Sequence, residues 1–353
     1  GWRDSHGSPL MAETTAVEGI HTDNVTAWFR EHIPGITPPL AFSLMTGGRS
    51  NLTYLVVDAN RQAYVLRRPP LGQVLESAHN MGREFSIISA LGPTGIPVAP
   101  AMGLCLDKSV NEADFYVMRF VEGHVYTSSL QSAKIPLAQR RALGLNVIET
   151  LVRLHRIDPD AVGLGNLGKK EDYVARQVHR WTKQYENSKT EEIPEMEAVG
   201  RLLKDSIPVQ VGATIAHGDY RFGNLMVNNN QVAAILDWEL CTLGDPLADL
   251  GYLLNWWFQA DEVVLGEKDD APTAVPGFPS RDELLRYYAE NTGRDLSQIN
   301  YYRALSHWRL AAISQGVYRR YLEGVMGDTQ DMVLSHYKNQ VYKLSKLALD
   351  ILN

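Results

Sequence analysis

His217-Gly218-Asp219-Tyr220-Arg221-Phe222-Gly223-Asn224, followed by Ile235-Leu236-Asp237-Trp238-Glu239, is the stretch on which the reading of this chain turns. It sets an Asp two residues after a His, an Asn five residues after that Asp, and a second Asp at the end of an apolar run. Phosphoryl transfer uses these side chains in this order: one carboxylate receives a hydroxyl proton, and an amide with another carboxylate holds magnesium. Leu225-Met226-Val227 and Val232-Ala233-Ala234-Ile235-Leu236 read as two short strands around the turn Asn228-Asn229-Asn230. Asn224 enters the first strand and Asp237 leaves the second, so a tight hairpin brings both to one end. Two oxygen ligands side by side suit Mg2+, which keeps several waters and completes its shell with nucleotide phosphates. Taken singly, each residue serves equally well as a turn or helix cap, and only the joint spacing speaks for chemistry.

Upstream, a helix from Asn24 to His32 precedes short apolar or alternating segments at Phe42 to Met45, Leu52 to Val57, Ala63 to Arg67, Met102 to Leu106 and Phe115 to Val121. These predict a small antiparallel sheet, interrupted once by a helix from His79 to Leu91. Past Glu122-Gly123 the pattern turns helical, at Leu137 to His155, Val174 to Glu186, Arg281 to Glu290, Arg303 to Leu322 and Met332 to Leu352. The expected fold is therefore α+β and bilobal: a small antiparallel-sheet N-lobe over residues 11–118, a linker at 119–123 and a larger helical C-lobe over 124–353, with the hairpin at the cleft where small ligands bind. Residues 1–10, which precede Met11, read as an added leader and are set aside.

The sheet-rich lobe offers phosphate contacts. Thr46-Gly47-Gly48-Arg49-Ser50-Asn51 lies between two predicted strands, where glycines let the backbone approach an anion, although a plain hairpin turn reads the same way. Arg67 ends a strand. Glu84 lies three residues from Met81 and four from Ile88, among the residues of a packing face, where a carboxylate is costly without a cation. Arg67 is the expected partner, because a guanidinium can grip the carboxylate and still reach a phosphate. Gly163-Leu164-Gly165-Asn166-Leu167-Gly168-Lys169-Lys170 imitates a phosphate-binding loop until its last position, where Lys170 stands in place of the Ser or Thr that would hold magnesium, and it follows a helix rather than a strand. It reads as a surface loop.

Composition sets the bounds. The chain has 353 residues, 44% of them apolar and 21% charged, as in ordinary soluble proteins of about two domains. Its net charge of −7 speaks against a nucleic-acid partner, and no apolar run approaches the roughly 18 residues of a membrane span. The two cysteines, Cys105 and Cys241, have no metal-site spacing, which points to a reducing cytoplasm.

These residues resemble the aminoglycoside phosphotransferase and choline kinase family, which shares the protein-kinase fold. The resemblance spans most of residues 40–350 and rests on His217 to Asn224, Leu236-Asp237-Trp238 and Gly244-Asp245-Pro246-Leu247-Ala248-Asp249-Leu250. More narrowly, Gly47-Gly48-Arg49-Ser50-Asn51-Leu52-Thr53-Tyr54 and Val65-Leu66-Arg67-Arg68-Pro69-Pro70 are similar to the kinase-like domains fused to acyl-CoA dehydrogenases. The resemblance implies ATP and Mg2+ as cofactors and a small-molecule hydroxyl as acceptor. It makes Asp219 the catalytic base, Asn224 and Asp237 the metal ligands, and Gly47, Gly48, Arg49, Ser50, Asn51, Arg67 and Glu84 nucleotide-side residues. Adenine would sit against Met118 to Gly123, with Met118 and Phe120 in contact. Arg221 would either stabilise the transferring phosphoryl group or pair with a nearby acid. Asp245 and Asp249 read as structural braces of the catalytic loop, and His217 as a packing residue. Where the family has a strand lysine this chain has Arg67, which keeps the charge and changes the shape of the phosphate grip.

The acceptor stays open at this level. Residues 245–300 hold eleven Asp or Glu against four Lys or Arg, a surface that would draw a cationic aminoglycoside. The narrower resemblance implies a hydroxyacyl-CoA or related hydroxy acid instead, and residues 301–353 carry seven Lys or Arg against four acids. Asn255-Trp256-Trp257-Phe258 lines a pocket or fills the core. A third possibility is a catalytically silent nucleotide-binding module.

Overall fold

The computed structural model describes residues 16–46, 51–72, 79–262, 271–327 and 330–353. The expectations for residues 1–10 and for Gly47, Gly48, Arg49 and Ser50 lie outside the described residues. Along the chain run α1 (Thr22–His32), β1 (Ala41–Thr46), β2 (Leu52–Val57), β3 (Ala63–Arg68), α2 (Met81–Leu91), β4 (Ala101–Cys105), α3 (Lys108–Asn111), β5 (Phe115–Arg119), α4 (Ser129–Ser132), α5 (Leu137–Arg156), α6 (Tyr173–Ser188), α7 (Pro194–Asp205), β6 (Thr214–Ala216), β7 (Leu225–Asn228), β8 (Gln231–Ile235), β9 (Thr242–Gly244), α8 (Pro246–Trp256), α9 (Arg281–Thr292), α10 (Ile299–Leu322) and α11 (Asp331–Leu352). They fall into two compact units. The first runs to Tyr126 and takes in Val162–Leu164 and Phe222–Leu240, and the second comprises Thr127–Ala161, Gly165–Arg221 and Cys241–Asn353.

In the first unit five strands form an antiparallel sheet in the order β1-β2-β3-β5-β4. β2 is buried at all six positions, so both faces of the sheet are covered. Strand alternation sends Tyr64 and Leu66 of β3 and Phe115 and Val117 of β5 to one face, where they join the core with Val25, Phe29 and Ile33. Aromatic edges lock this layer: Trp28 meets Phe115 at 4.9 Å and Phe29 meets Tyr64 at 6.2 Å between ring centroids. Burying each such ring is worth about 2 to 3 kcal/mol. The same alternation turns Val65, Arg67, Tyr116 and Met118 to the opposite face, with Arg67 registered against Tyr116 and Val65 against Met118. α2 starts at Met81, because the Asn80 side chain accepts from the Arg83 N–H and caps it there.

The hairpin of β7 and β8 belongs to this first unit, whereas the sequence reading assigned all of residues 124–353 to the helical lobe. The reason is backbone pairing. His124 and Val227 exchange two hydrogen bonds of 2.8 Å, and the Ile235 N–H donates to Pro97 O at 2.8 Å. Gly123 permits the approach: a Cβ there would lie 2.4 Å from the Val227 carbonyl oxygen, and its φ is +154°. The turn places Asn229 and Asn230 both in the left-handed region, φ 48° and 60°, which a two-residue hairpin turn requires and which asparagine tolerates.

The second unit is mainly helical. α10 is packed by α6, α7, α8 and α11, and three-residue β6 pairs with β9. α7 is absent from the helices read in the sequence. Its apolar residues Met196, Val199 and Leu203 are buried at helical spacing, with Pro194 at its first turn. Gly163 to Lys170 contains no strand, in keeping with a loop, and Lys170 pairs with Asp160.

Candidate active site

The first unit carries the described residues expected on the nucleotide side. Arg67, at the end of β3 with only 12% of its side chain exposed, faces two carboxylates: its Nε is 3.3 Å from Glu84 Oε1, and its Nη2 donates to Asp237 Oδ1 at 3.0 Å. The Glu84 contact is an ion pair without hydrogen-bond geometry, so Arg67 Nε and Glu84 Oε1 both remain buried without a hydrogen-bond partner. Burial alone would lower the Arg67 pKa, but Tyr116, Glu84, Asp237 and Glu239 outweigh it and hold the guanidinium above its ordinary value. Burial pushes the Glu84 carboxyl up to about 7, with Arg67 opposing. Asn51 sits in the same cluster. Its Nδ2 donates to Glu84 Oε2 at 3.2 Å and to Glu239 Oε2 at 3.5 Å, and its Oδ1 lies 2.7 Å from His79 Nδ1.

The hairpin sets Asn224 and Asp237, the residues expected as metal ligands. The Leu236 N–H donates to Asn224 O at 2.8 Å, and β7 and β8 pair from Leu225 opposite Ile235. Asn224 and Asp237 therefore flank the same open end of the hairpin. Asp237 has φ 59°, a conformation that non-glycine residues adopt mainly where surrounding structure or function demands it. Among the described residues no group of three or more His, Cys, Asp or Glu side chains is placed to hold a metal. The backbone pairing of the hairpin leaves one amide residue and one carboxylate residue at this end, residue types that can serve as oxygen ligands.

The second unit carries the loop between β6 and Phe222 that holds Asp219, the expected base. His217 is fully buried, and its Nδ1 accepts from the Asp219 N–H at 3.1 Å. Asp249 braces the loop from α8: Oδ2 accepts from His217 N–H at 2.8 Å, Oδ1 accepts from Gly218 N–H at 2.9 Å, and His155 Nε2 lies 3.0 Å from Oδ2. Burial by itself would raise the Asp249 pKa, yet these partners hold it below the ordinary carboxylate value. Asp245 instead caps its own helix at Leu247 N–H and accepts from Tyr302 OH at 2.6 Å. Asp219 Oδ1 receives the Tyr252 hydroxyl and lies 3.3 Å from Arg221 Nε. Two partners on one oxygen fix the rotation of this carboxylate. Arg221 also lies 4.7 Å above the Trp256 ring.

The aromatic run divides: Trp257 is core, with 1% exposure and its indole N–H on Pro279 O, whereas Trp256 supports Arg221. Met118 is buried on β5, and the Phe120 N–H donates to Ala63 O at 3.1 Å. Sequence reading missed Tyr252, Glu239 and Tyr116. Tyr252 had a usable signal, since it stands three residues after Asp249 on one helix and so shares its face.

The model of the phosphotransferase enzyme family matches residues 42–284. The chain belongs to this family. It is 39% identical over 292 residues to mouse acyl-CoA dehydrogenase family member 10, covering 82% of this chain and 27% of that protein. It is 34% identical over 337 residues to mouse acyl-CoA dehydrogenase family member 11, covering 93% and 43%. The chain thus spans less than half the length of these curated relatives. A solved Ralstonia eutropha structure, described as a candidate aminoglycoside phosphotransferase, superposes with a TM-score of 0.78 at 34% identity, over 94% of this chain and 97% of that one. This phosphotransferase-family fold is the kinase-like α+β arrangement. Among the described residues no helix is long and apolar enough to cross a membrane.

Proposed function

We propose that the chain transfers the γ-phosphate of ATP, with Mg2+, to a hydroxyl of a small molecule. The observation that carries this reading is the Arg67 cluster: a buried guanidinium shared by Glu84 and Asp237, residues distant in sequence, with hydrogen-bonding capacity left over on Arg67 and Glu84. Buried polar groups are ordinarily satisfied, so spare capacity beside three carboxylates marks a place for polyanion and cation together. Arg67 would bind the α and β phosphates while Glu84 orients it, in the role that a lysine fills elsewhere in the family. Asn224 and Asp237 would hold magnesium, which supplies neutralisation of phosphate charge. Asp219, rotationally fixed by Tyr252 and Arg221, would accept the proton of the acceptor hydroxyl late in a loose transition state. His217 and Asp249 position its backbone. Because covalent chemistry plays little part, holding the hydroxyl in line contributes most of the rate.

The test is magnesium-dependent ADP release with aminoglycosides, choline-like amines, hydroxyacyl-CoAs and hydroxy acids. Turnover with one class is expected, and Asp219→Asn should reduce kcat about 10^2- to 10^4-fold while nucleotide binding persists by calorimetry. Near-normal turnover in that variant would refute the base assignment. ATP binding without turnover on any acceptor would favour the silent-module alternative.

A further inference from the structure

A chain of hydrogen bonds runs inside the second unit from the loop that carries Asp219 to the end of α9. It starts where Asp249 accepts the His217 and Gly218 N–H groups, at 2.8 and 2.9 Å. His155, near the end of α5, has Nε2 3.0 Å from Asp249 Oδ2 and Nδ1 2.8 Å from the Tyr288 hydroxyl. Arg294 follows Gly293, the residue that caps α9. It donates from Nη1 to the Tyr288 hydroxyl oxygen at 3.1 Å and from Nη2 to the His155 carbonyl at 3.3 Å. The side chains of Asp249 and His155 are 1% and 0% exposed, and Tyr288 is fully buried, so the chain has to be satisfied from within.

The donors and acceptors fix where each proton sits. An ionised carboxylate only accepts, and a guanidinium only donates. Asp249 therefore takes a proton from His155 Nε2, and the Tyr288 oxygen takes one from Arg294. The Tyr288 proton then has His155 Nδ1 as its acceptor, which requires that nitrogen to be bare. His155 is thereby held as the neutral imidazole protonated at Nε2, the hydrogen bond at one ring nitrogen setting the state of the other. The opposite tautomer would set the Nε2 lone pair against Asp249 Oδ2. An imidazolium would donate to Tyr288 together with Arg294 and strand the phenolic proton in the core.

We propose that Tyr288 and Arg294 are positioning residues for Asp219: they lock the tautomer of His155, His155 holds Asp249, and Asp249 holds the backbone that carries the base. This rests on the phosphotransferase reading above and extends that site by two residues that act only through others. The last link is short, because the Asp219 N–H donates to His217 Nδ1 at 3.1 Å, so a displaced His217 displaces the base. α8 thus holds the loop twice, through Asp249 on its backbone and through Tyr252 on the Asp219 carboxylate. Arg294 also lies close enough to Asp245 to favour its ionised form, which makes Tyr288 the cleaner point of attack.

The experiment records the side-chain nitrogen-15 signals of the histidine-labelled full chain at neutral pH, with His155→Gln to assign His155. Hydrogen exchange of the peptide carrying His217 and Gly218 is read by mass spectrometry, and turnover by ADP release with Mg-ATP and the acceptor panel above. His155 should show a protonated Nε2 and a bare, hydrogen-bonded Nδ1. Tyr288→Phe should mix the two tautomers, speed exchange in that peptide about fivefold, and lower kcat about tenfold with the KM for Mg-ATP unchanged. Arg294→Met should act in the same direction, and Arg294→Lys should recover part of the loss. Global destabilisation would leave the nitrogen signals of the folded fraction where they were. An imidazolium or an Nδ1-protonated His155 in the unsubstituted chain overturns the proposal, as does a Tyr288→Phe variant with unaltered exchange and kcat. The nitrogen signals of the unsubstituted chain stand even where a variant fails to fold. The expected tautomer with Tyr288-dependent exchange, but no ADP release on any acceptor, would keep the hold on the loop and remove the phosphotransferase reading. ADP release whose kcat ignores Tyr288→Phe would do the reverse.

Discussion

Asp249 and Asp237 are both carboxylates beside a cationic or ionisable partner, yet they are built oppositely. Asp249 is 1% exposed, and its oxygens accept two backbone N–H groups and contact His155, which in turn reaches Tyr288 OH at 2.8 Å. Asp237 is 29% exposed, held in a left-handed backbone, and shares Arg67 with a Glu84 whose own contact lacks hydrogen-bond geometry. The first cluster is closed and serves as scaffold for the loop that carries Asp219. The second leaves Arg67 Nε and Glu84 Oε1 buried without a hydrogen bond. Burial of charge is common to both, and satisfaction separates them.

The contrast is breakable by substitution. Asp237→Asn keeps the shape and tolerates the left-handed φ. It should abolish magnesium-dependent nucleotide binding and cost about 10^3-fold in kcat, several kcal/mol of transition-state stabilisation, while changing the urea midpoint by less than about 1 kcal/mol equivalent. A collapse of stability in this variant would make the second cluster scaffold too. Asp249→Ala should do the opposite, lowering stability by about 3 kcal/mol or more without ligand, because two buried N–H groups and His155 lose their partner. A melting temperature like that of the parent would show that the loop does not depend on this brace.

The clusters should also titrate with opposite sign. Glu84 has a folded value of about 7 against 4.5 for the unfolded chain, so the folded state favours its protonated form. The stability it contributes is full below pH 4.5 and is lost as pH rises through 7, on the order of 3 kcal/mol. Asp249 is depressed below its ordinary 3.8, so its contribution is present above that pH and is lost as pH falls through the folded value. Urea denaturation of Glu84→Gln across pH 4 to 8 should lack the wild-type decline, and an unchanged slope would remove Glu84 as its source. The smallest effect sharpens the nucleotide side: Arg67→Lys keeps the charge but loses the fork, and should raise the KM for Mg-ATP about tenfold. An improved KM would mean that arginine at this position serves something other than phosphate.

The hairpin was legible in the sequence because everything that forms it is local: two apolar runs, three consecutive asparagines, and Asn224 and Asp237 at matching ends. The Arg67–Glu84 pairing was legible for a different reason, since helical spacing put a carboxylate on an apolar face and Arg67 was the nearest good cation beside Arg68 and Arg83. Asp249 was readable as a brace from its place on the first turn of a helix. By contrast, the assignment of the hairpin to the sheet-bearing unit depends on His124 meeting Val227, about a hundred residues apart, and on Gly123 leaving room for a carbonyl. No local pattern encodes that approach.

Local chemistry alone thus named the fold class and singled out Asp219, Asn224 and Asp237 as candidates, because turn geometry and short spacings act within a few residues. Tertiary packing alone made Tyr252 a partner of Asp219, put Trp256 beneath Arg221, and strung Arg294, Tyr288 and His155 into a chain that ends on Asp249. A side chain's role there depends on which neighbours use up its hydrogen-bonding capacity, and those neighbours are chosen only when the helices pack.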